Sequence, residues 1–170
     1  MKKIKLAVVC TLFVIVSFFA LSQNASAASS TSFNFSGTAG AFGGYYQKFV
    51  AEDTMSSRPV QYMRVNLFAH EGNKLKVSLL QTYDWVSTAN VVASTGTLEA
   101  SYDYYVFYIV PANMSCPAGA DFCLTMPKEY SSNGLGNDIG YDINVGFRCT
   151  NESWFYGDLE VSGTYILYYT

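Results

Sequence analysis

Three oxygen-bearing side chains near the carboxyl end have the chemistry to bind a hard cation. Asn137, Asp138 and Asp142 lie in the stretch NDIGYDIN around Gly140, a residue that permits a sharp turn. Ca²⁺ prefers carboxylate and carbonyl oxygens of this kind. The spacing and closing glutamate of an EF-hand are missing, and an Asx-rich turn before a strand is the competing interpretation. We therefore expect no obligatory cofactor, with Ca²⁺ as the ion that these residues would accept.

Three cysteines lie beyond the amino-terminal apolar run, and two of them are close in sequence. In an oxidising compartment Cys116 and Cys123 would close the loop CPAGADFC, leaving Cys149 as a buried free thiol. Pairing of Cys149 with either loop cysteine is the alternative. The short-loop disulfide is the prediction, because both partners sit in one turn-rich segment.

No catalytic constellation stands out. His70 is the only histidine, whereas a zinc site needs three or four soft or nitrogen ligands. No serine lies in a G-x-S-x-G context. Thirteen acidic residues allow too many carboxylate pairs to nominate one for glycoside hydrolysis. The sequence leaves an enzymatic activity open but favours a non-catalytic protein.

The stretch SYDYYVFYIV, residues 101–110, concentrates aromatic side chains in a single strand. Alternation places Tyr102, Tyr104 and Tyr108 together on one face. Core packing is the favoured interpretation, because so many rings have to be housed somewhere. The alternative is a ring-rich face in water that stacks on sugar rings, and these three tyrosines are then the candidate ligand-binding residues.

The elements that must position these residues are strands. Apolar and polar residues alternate with period two at 63–69, 74–79 and 143–149, which is typical of half-buried strands. No window shows a helical stripe. The predicted fold is all-β, a two-sheet antiparallel β-sandwich of the jelly-roll or immunoglobulin-like kind, with a small closed β-barrel as second choice.

Two local expectations follow from the turns between the strands. The segment Glu71-Gly72-Asn73 is predicted as a three-residue hairpin loop that pairs Ala69 with Leu75. Residues 111–142 are rich in Gly, Asn and Ser and are predicted as one long excursion with little sheet of its own.

The amino terminus predicts secretion. A short basic stretch precedes an uncharged apolar run from Leu6 to Leu21, and Ala25-Ser26-Ala27 offers a cleavage site. We expect residues 1–27 to be a signal peptide and residues 28–170 to form a single β-sandwich domain, with no transmembrane segment after processing. Loss of three lysines would leave seven basic and thirteen acidic residues, a formal charge of −6. That charge argues against a nucleic-acid partner.

Three functional hypotheses remain. The leading one is a small secreted, extracellular binding module (periplasmic in a Gram-negative host) that recognises carbohydrate or a cell-surface polymer through its aromatic residues. A self-associating matrix or surface protein is the alternative, since the uncharged terminal stretch TYILYYT would be prone to pairing as an edge strand. A small secreted toxin comes third, because the negative charge disfavours binding to anionic bilayers.

Overall fold

A computed structural model describes residues 29–49, 60–83, 89–127, 135, 137–138, 141–154 and 157–169. These ranges contain eleven β-strands and no helix. The predicted signal peptide lies outside them. The strands are β1 (Ser30–Ala39), β2 (Tyr45–Phe49), β3 (Val60–His70), β4 (Lys74–Tyr83), β5 (Asn90–Ser94), β6 (Leu98–Glu99), β7 (Asp103–Pro111), β8 (Phe122–Met126), β9 (Asn137–Asp138), β10 (Tyr141–Asn151) and β11 (Leu159–Tyr169).

The strands form two sheets. The first sheet has the order β1-β11-β3-β7-β8, and the second has the order β2-β10-β4-β5, with β6 paired to β4 and β9 paired to β10. Neither sheet closes into a barrel, so the predicted β-sandwich is confirmed. Among the described pairs, β7 and β8 run parallel and the others antiparallel.

The core lies between the sheets and is built from alternate residues of each strand. Met63, Val65 and Leu67 of β3 are fully buried on one side, and Val77 and Leu79 of β4 on the other. Removing this apolar surface from water is the main stabilising contribution to such a fold. The period-two pattern in the sequence therefore identifies the inward residues of these strands correctly.

The predicted hairpin between β3 and β4 is wrong. The two strands belong to different sheets, so Glu71–Asn73 turns the chain from one sheet to the other. Glu71 takes the left-handed conformation at φ 64°, and Gly72 packs against Leu159, whose Cδ1 would lie 2.8 Å from an added Cβ. Alternation fixes which residues point inward, but a hairpin and a corner between sheets satisfy it equally well.

The excursion predicted for residues 111–142 contains sheet after all. Strand β8 pairs with β7 at the edge of the first sheet, with Phe122 opposite Phe107. Because β7 and β8 are parallel, the chain must run back along the length of β7 before β8 can begin. Residues 112–121 form this connection. The predicted Cys116–Cys123 disulfide is present, with Cα atoms 5.8 Å apart, and it joins this connection to β8.

The carboxyl-terminal strand lies inside its sheet. β11 pairs with β1 on one side and with β3 on the other, so its backbone groups are already bonded along both edges. The expectation that TYILYYT is an edge strand is wrong. The argument for self-association that rested on it is lost, and the edges of this sheet are β1 and β8.

Candidate functional site

The outer surface of the first sheet carries a band of rings. Strand β7 points Phe107 and Ile109 into the core, where both are fully buried, while Tyr104 on the opposite side is 57% exposed. Tyr102, just before the strand, is 68% exposed. Core packing is therefore the wrong interpretation for these two tyrosines. We call this surface the outer aromatic face; its rings belong to Tyr62, Phe68, His70, Tyr102, Tyr104, Tyr108 and Tyr168.

The rings form two clusters. At one end, His70 lies 5.3 Å from Phe68 and 5.9 Å from Tyr102 between ring centroids, stacked on both. At the other end, Tyr62 stacks on Tyr168 at 4.4 Å and lies 6.3 Å from Tyr108. Tyr104 and Tyr108 are four residues apart in one strand, about 13 Å. The three candidate tyrosines thus share a surface but do not converge on one point.

The first cluster is held by polar contacts at its margin. His70 Nε2 lies 3.3 Å from Glu160 Oε2, and His70 Nδ1 lies 3.7 Å from Glu71 Oε1. The hydroxyl of Tyr102 donates to the same Glu71 oxygen at 3.3 Å. In the second cluster, partial burial and then the neighbouring phenols raise the pKa of Tyr62. The phenol is protonated at neutral pH even at its ordinary pKa of 10.0, and the upward shift keeps the hydroxyl a hydrogen-bond donor further into the alkaline range.

Strand β1 contributes polar, uncharged side chains to this surface. Ser32, Asn34 and Ser36 of β1 are exposed there, and Asn66 Nδ2 donates to Thr164 Oγ1 at 2.8 Å. Among the described strands of the first sheet, Arg64 is the one residue with a permanent positive charge. Tyrosine combined with Ser and Asn is the composition of adaptable contact surfaces.

A second feature lies where the loops meet at one end of the sandwich. A cleft of about 260 Å³ is lined by Phe42, Gly43 and residues 150–154. Phe42 is 78% exposed and Trp154 is 76% exposed. We call this region, formed by turns 40–44, 71–73 and 100–102 with residues 152–154, the loop end.

Asn151 fixes the base of the cleft. It is fully buried, and its Nδ2 donates to the carbonyls of Ala39 at 3.3 Å and Gly157 at 3.1 Å. Its Oδ1 accepts from the amide of Ser153 at 3.0 Å. The Ser153 hydroxyl oxygen in turn accepts from the amides of Asn73 and Lys74, both at 3.0 Å. One amide side chain thereby positions several loops, which makes the cleft a fixed shape.

Backbone strain is concentrated at this loop end. Phe42, Glu71 and Tyr102 have φ values of 58°, 64° and 58°, and they are the non-glycine residues with positive φ in the described part of the chain. A bulky residue in this region is an outlier and costs about 1–3 kcal/mol. Such strain persists where the surrounding structure imposes it, commonly at binding sites.

The predicted calcium site is only partly within the described residues. Backbone pairing of β9 with β10 places Asn137 opposite Asp142 and Asp138 opposite Tyr141, while residues 139–140 lie outside the described ranges. Elsewhere in those ranges, no three His, Cys, Asp or Glu side chains are grouped as metal ligands. Calcium binding by this segment stays a prediction.

Sequence reasoning missed Phe42 and Trp154. The sequence does contain a signal for Phe42, which lies in the turn GAFGG, where the glycines provide no neighbouring side chain to cover a ring.

Neither a known protein family nor a curated protein matches the chain. No helix long and apolar enough to cross a membrane occurs in the residues described.

Cys149 offers no catalytic thiol. It is the free cysteine of the described part of the chain and is fully buried in the core. Burial raises the pKa of its thiol from the ordinary 9.0 to about 12. A catalytic cysteine needs a lowered pKa and access to solvent, so this residue is structural.

The raised pKa predicts a stability loss in alkaline solution. Above pH 9 the unfolded chain releases the Cys149 proton while the folded protein keeps it, so the free energy of unfolding falls as pH rises toward 12. Urea denaturation at a series of pH values measures this slope. We expect a shallower slope in Cys149→Ala, and equal slopes in the two proteins would contradict the assignment.

Proposed function

We propose that the protein is a secreted, non-catalytic module that binds a neutral carbohydrate polymer through the outer aromatic face. The observation that carries this proposal is the exposure of Tyr102 and Tyr104 at the outer surface of the first sheet. Rings in such positions lose the free-energy gain of burial, which binding to a flat apolar partner would restore.

Sugar polymers have the surface that these rings would contact. The C–H groups on one side of a pyranose meet the negative face of an aromatic ring, and phenol hydroxyls bond to the sugar hydroxyls at the rim. The two ring clusters are separated along the strand direction, since Tyr62 and Phe68 are six residues apart in β3, about 20 Å, and this separation favours an extended chain over a single sugar. The neighbouring Ser32, Asn34 and Ser36 would supply adaptable hydrogen bonds.

The charges support a neutral partner. Arg64 is one cation on a surface whose margin also holds Glu71 and Glu160, so phosphate-rich polymers find little to neutralise. The Cys116–Cys123 disulfide is compatible with an oxidising extracellular location, as the amino-terminal sequence predicts.

Sedimentation of the purified protein with insoluble cellulose, chitin, xylan and bacterial cell walls tests the proposal. We expect a bound fraction on at least one polymer that falls about tenfold in a Tyr104→Ala, Tyr108→Ala double variant, because buried aromatic contacts dominate binding energy. Tyr45→Ala is the matched control, since Tyr45 is 53% exposed but lies on the second sheet. No binding to any polymer, or equal binding by the double variant, would refute the proposal.

A further inference from the structure

The most exposed rings of the described chain are at the loop end. The exposed fractions of Phe42 and Trp154, 78% and 76%, are larger than those of any other large apolar side chain in the described residues. Both residues line the same cleft. Scattered exposed rings are ordinary, but two that border one concave site indicate a contact surface. Neither ring is one of those that form the outer aromatic face, and none of the residues that line the cleft belongs to that face.

The cleft keeps its shape without a ligand. The amide of Gly43 donates to the carbonyl of Asn151 at 3.0 Å, and the amide of Asn151 donates to the carbonyl of Gly44 at 2.9 Å. These bonds hold Phe42 at φ 58°, where its ring projects into solvent. A site that is ordered beforehand loses less conformational entropy on binding.

Hydrogen-bonding groups line the cleft together with the two rings. Thr150 and Glu152 line the cleft, and the hydroxyl of Thr97 donates to Glu152 Oε2 at 3.1 Å. The amide of Glu152 donates to the carbonyl of Lys74 at 3.0 Å, which anchors the residue. A carboxylate has about four acceptor positions, so Glu152 can accept further bonds from a bound molecule.

We infer that this cleft is a second binding site, which takes one neutral pyranose unit at the end of an oligosaccharide. The volume of about 260 Å³ is below the range of pockets that enclose drug-sized ligands, about 300 Å³ upward. Glu152 disfavours an anionic ligand, because the lining residues include no cation to balance it. Phe42 and Trp154 would contact the sugar ring, and Glu152 and Thr150 would bond to its hydroxyls.

Calorimetric titration of the purified protein with soluble cello-, chito-, malto- and mannotetraose tests the inference. We expect one of these sugars to bind, with a Kd that rises at least tenfold in Phe42→Ala and in Trp154→Ala. Glu152→Gln should also weaken binding, because a neutral amide accepts weaker hydrogen bonds than a carboxylate. Thermal unfolding should be unchanged in the two ring variants, since both side chains are exposed.

Two controls test the assignment to the cleft. Val91→Ala, a substitution of an exposed residue on β5 of the second sheet, should leave tetrasaccharide affinity unchanged, and Trp154→Phe, which keeps an aromatic ring in the cleft, should retain binding by calorimetry. Failure of all four sugars to bind overturns the inference, as does binding that survives in both ring variants. Choline is a further probe, because an aromatic site with a carboxylate can also hold an organic cation; binding of choline alone would likewise overturn it.

Discussion

Replacing Gly163 with alanine is expected to lower the free energy of unfolding by about 3 kcal/mol or more. Gly163 has φ 154°, a conformation that an L side chain rarely adopts. An added Cβ would overlap the carbonyl oxygen of Asn66 and lie 3.1 Å from Cζ of Phe35. The obstructing oxygen belongs to the backbone of β3, so it cannot rotate away as a side chain would.

The position of Gly163 in the sheet spreads the destabilising effect of the substitution beyond its own strand. It lies in β11, opposite Phe35 of β1 and Leu67 of β3, so any shift that relieves the overlap disturbs two strand pairs. Native domains are stable by about 5–15 kcal/mol. The substitution therefore removes a large share of the total stability.

Gly43→Ala is the control that separates strain from overlap. Gly43 has φ 84°, but an added Cβ would have no atom within 4 Å, so this variant has the backbone penalty alone, about 1–2 kcal/mol. Urea denaturation of both variants and the parent protein measures the difference. A Gly163→Ala variant no less stable than Gly43→Ala would show that the sheet yields at this point.

The sequence predicts features of the fold that depend on a residue's own environment, such as burial, better than features that depend on distant strands. In β3, burial alternates from Met63 to Ala69 as the apolar pattern predicts, because each side chain reports its own environment. The partner of a strand is not a local property. Nothing in Glu71-Gly72-Asn73 distinguishes a hairpin from a corner between sheets, and β11 is identified as interior only by the positions of β1 and β3.

The candidate site shows the same limit. Alternation groups Tyr104 with Tyr108 correctly, but both sides of β7 are rich in rings, so the pattern cannot tell which side faces the core. The second sheet decides it: Phe147 of β10 meets Phe107 edge-on at 6.0 Å. Phe42 and Trp154 line the same loop-end cleft but are distant in sequence, so no sequence motif could have predicted this cleft.

Removing the ring of Phe107 is expected to cost about 3–5 kcal/mol of stability. Phe107 is fully buried, stacks on Phe122 of β8 at 4.9 Å and meets Phe147 of the opposite sheet. Phe107→Ala would leave a cavity between the two sheets, because neighbours anchored in strands can only partly collapse into it. Guanidinium or thermal denaturation provides the measurement.

Tyr104→Ala, three residues away in the same strand, is expected to change stability by less than about 0.5 kcal/mol. The pair assigns a role to each side of β7, since Phe107 holds the sheets together and Tyr104 is 57% exposed and free to contact a partner. If Tyr104→Ala destabilised the protein as much as Phe107→Ala, the outer ring would serve packing, and the proposed polymer-binding surface would lose its main support. Loss of polymer binding in a fully stable Tyr104→Ala protein would instead separate recognition from folding within one strand.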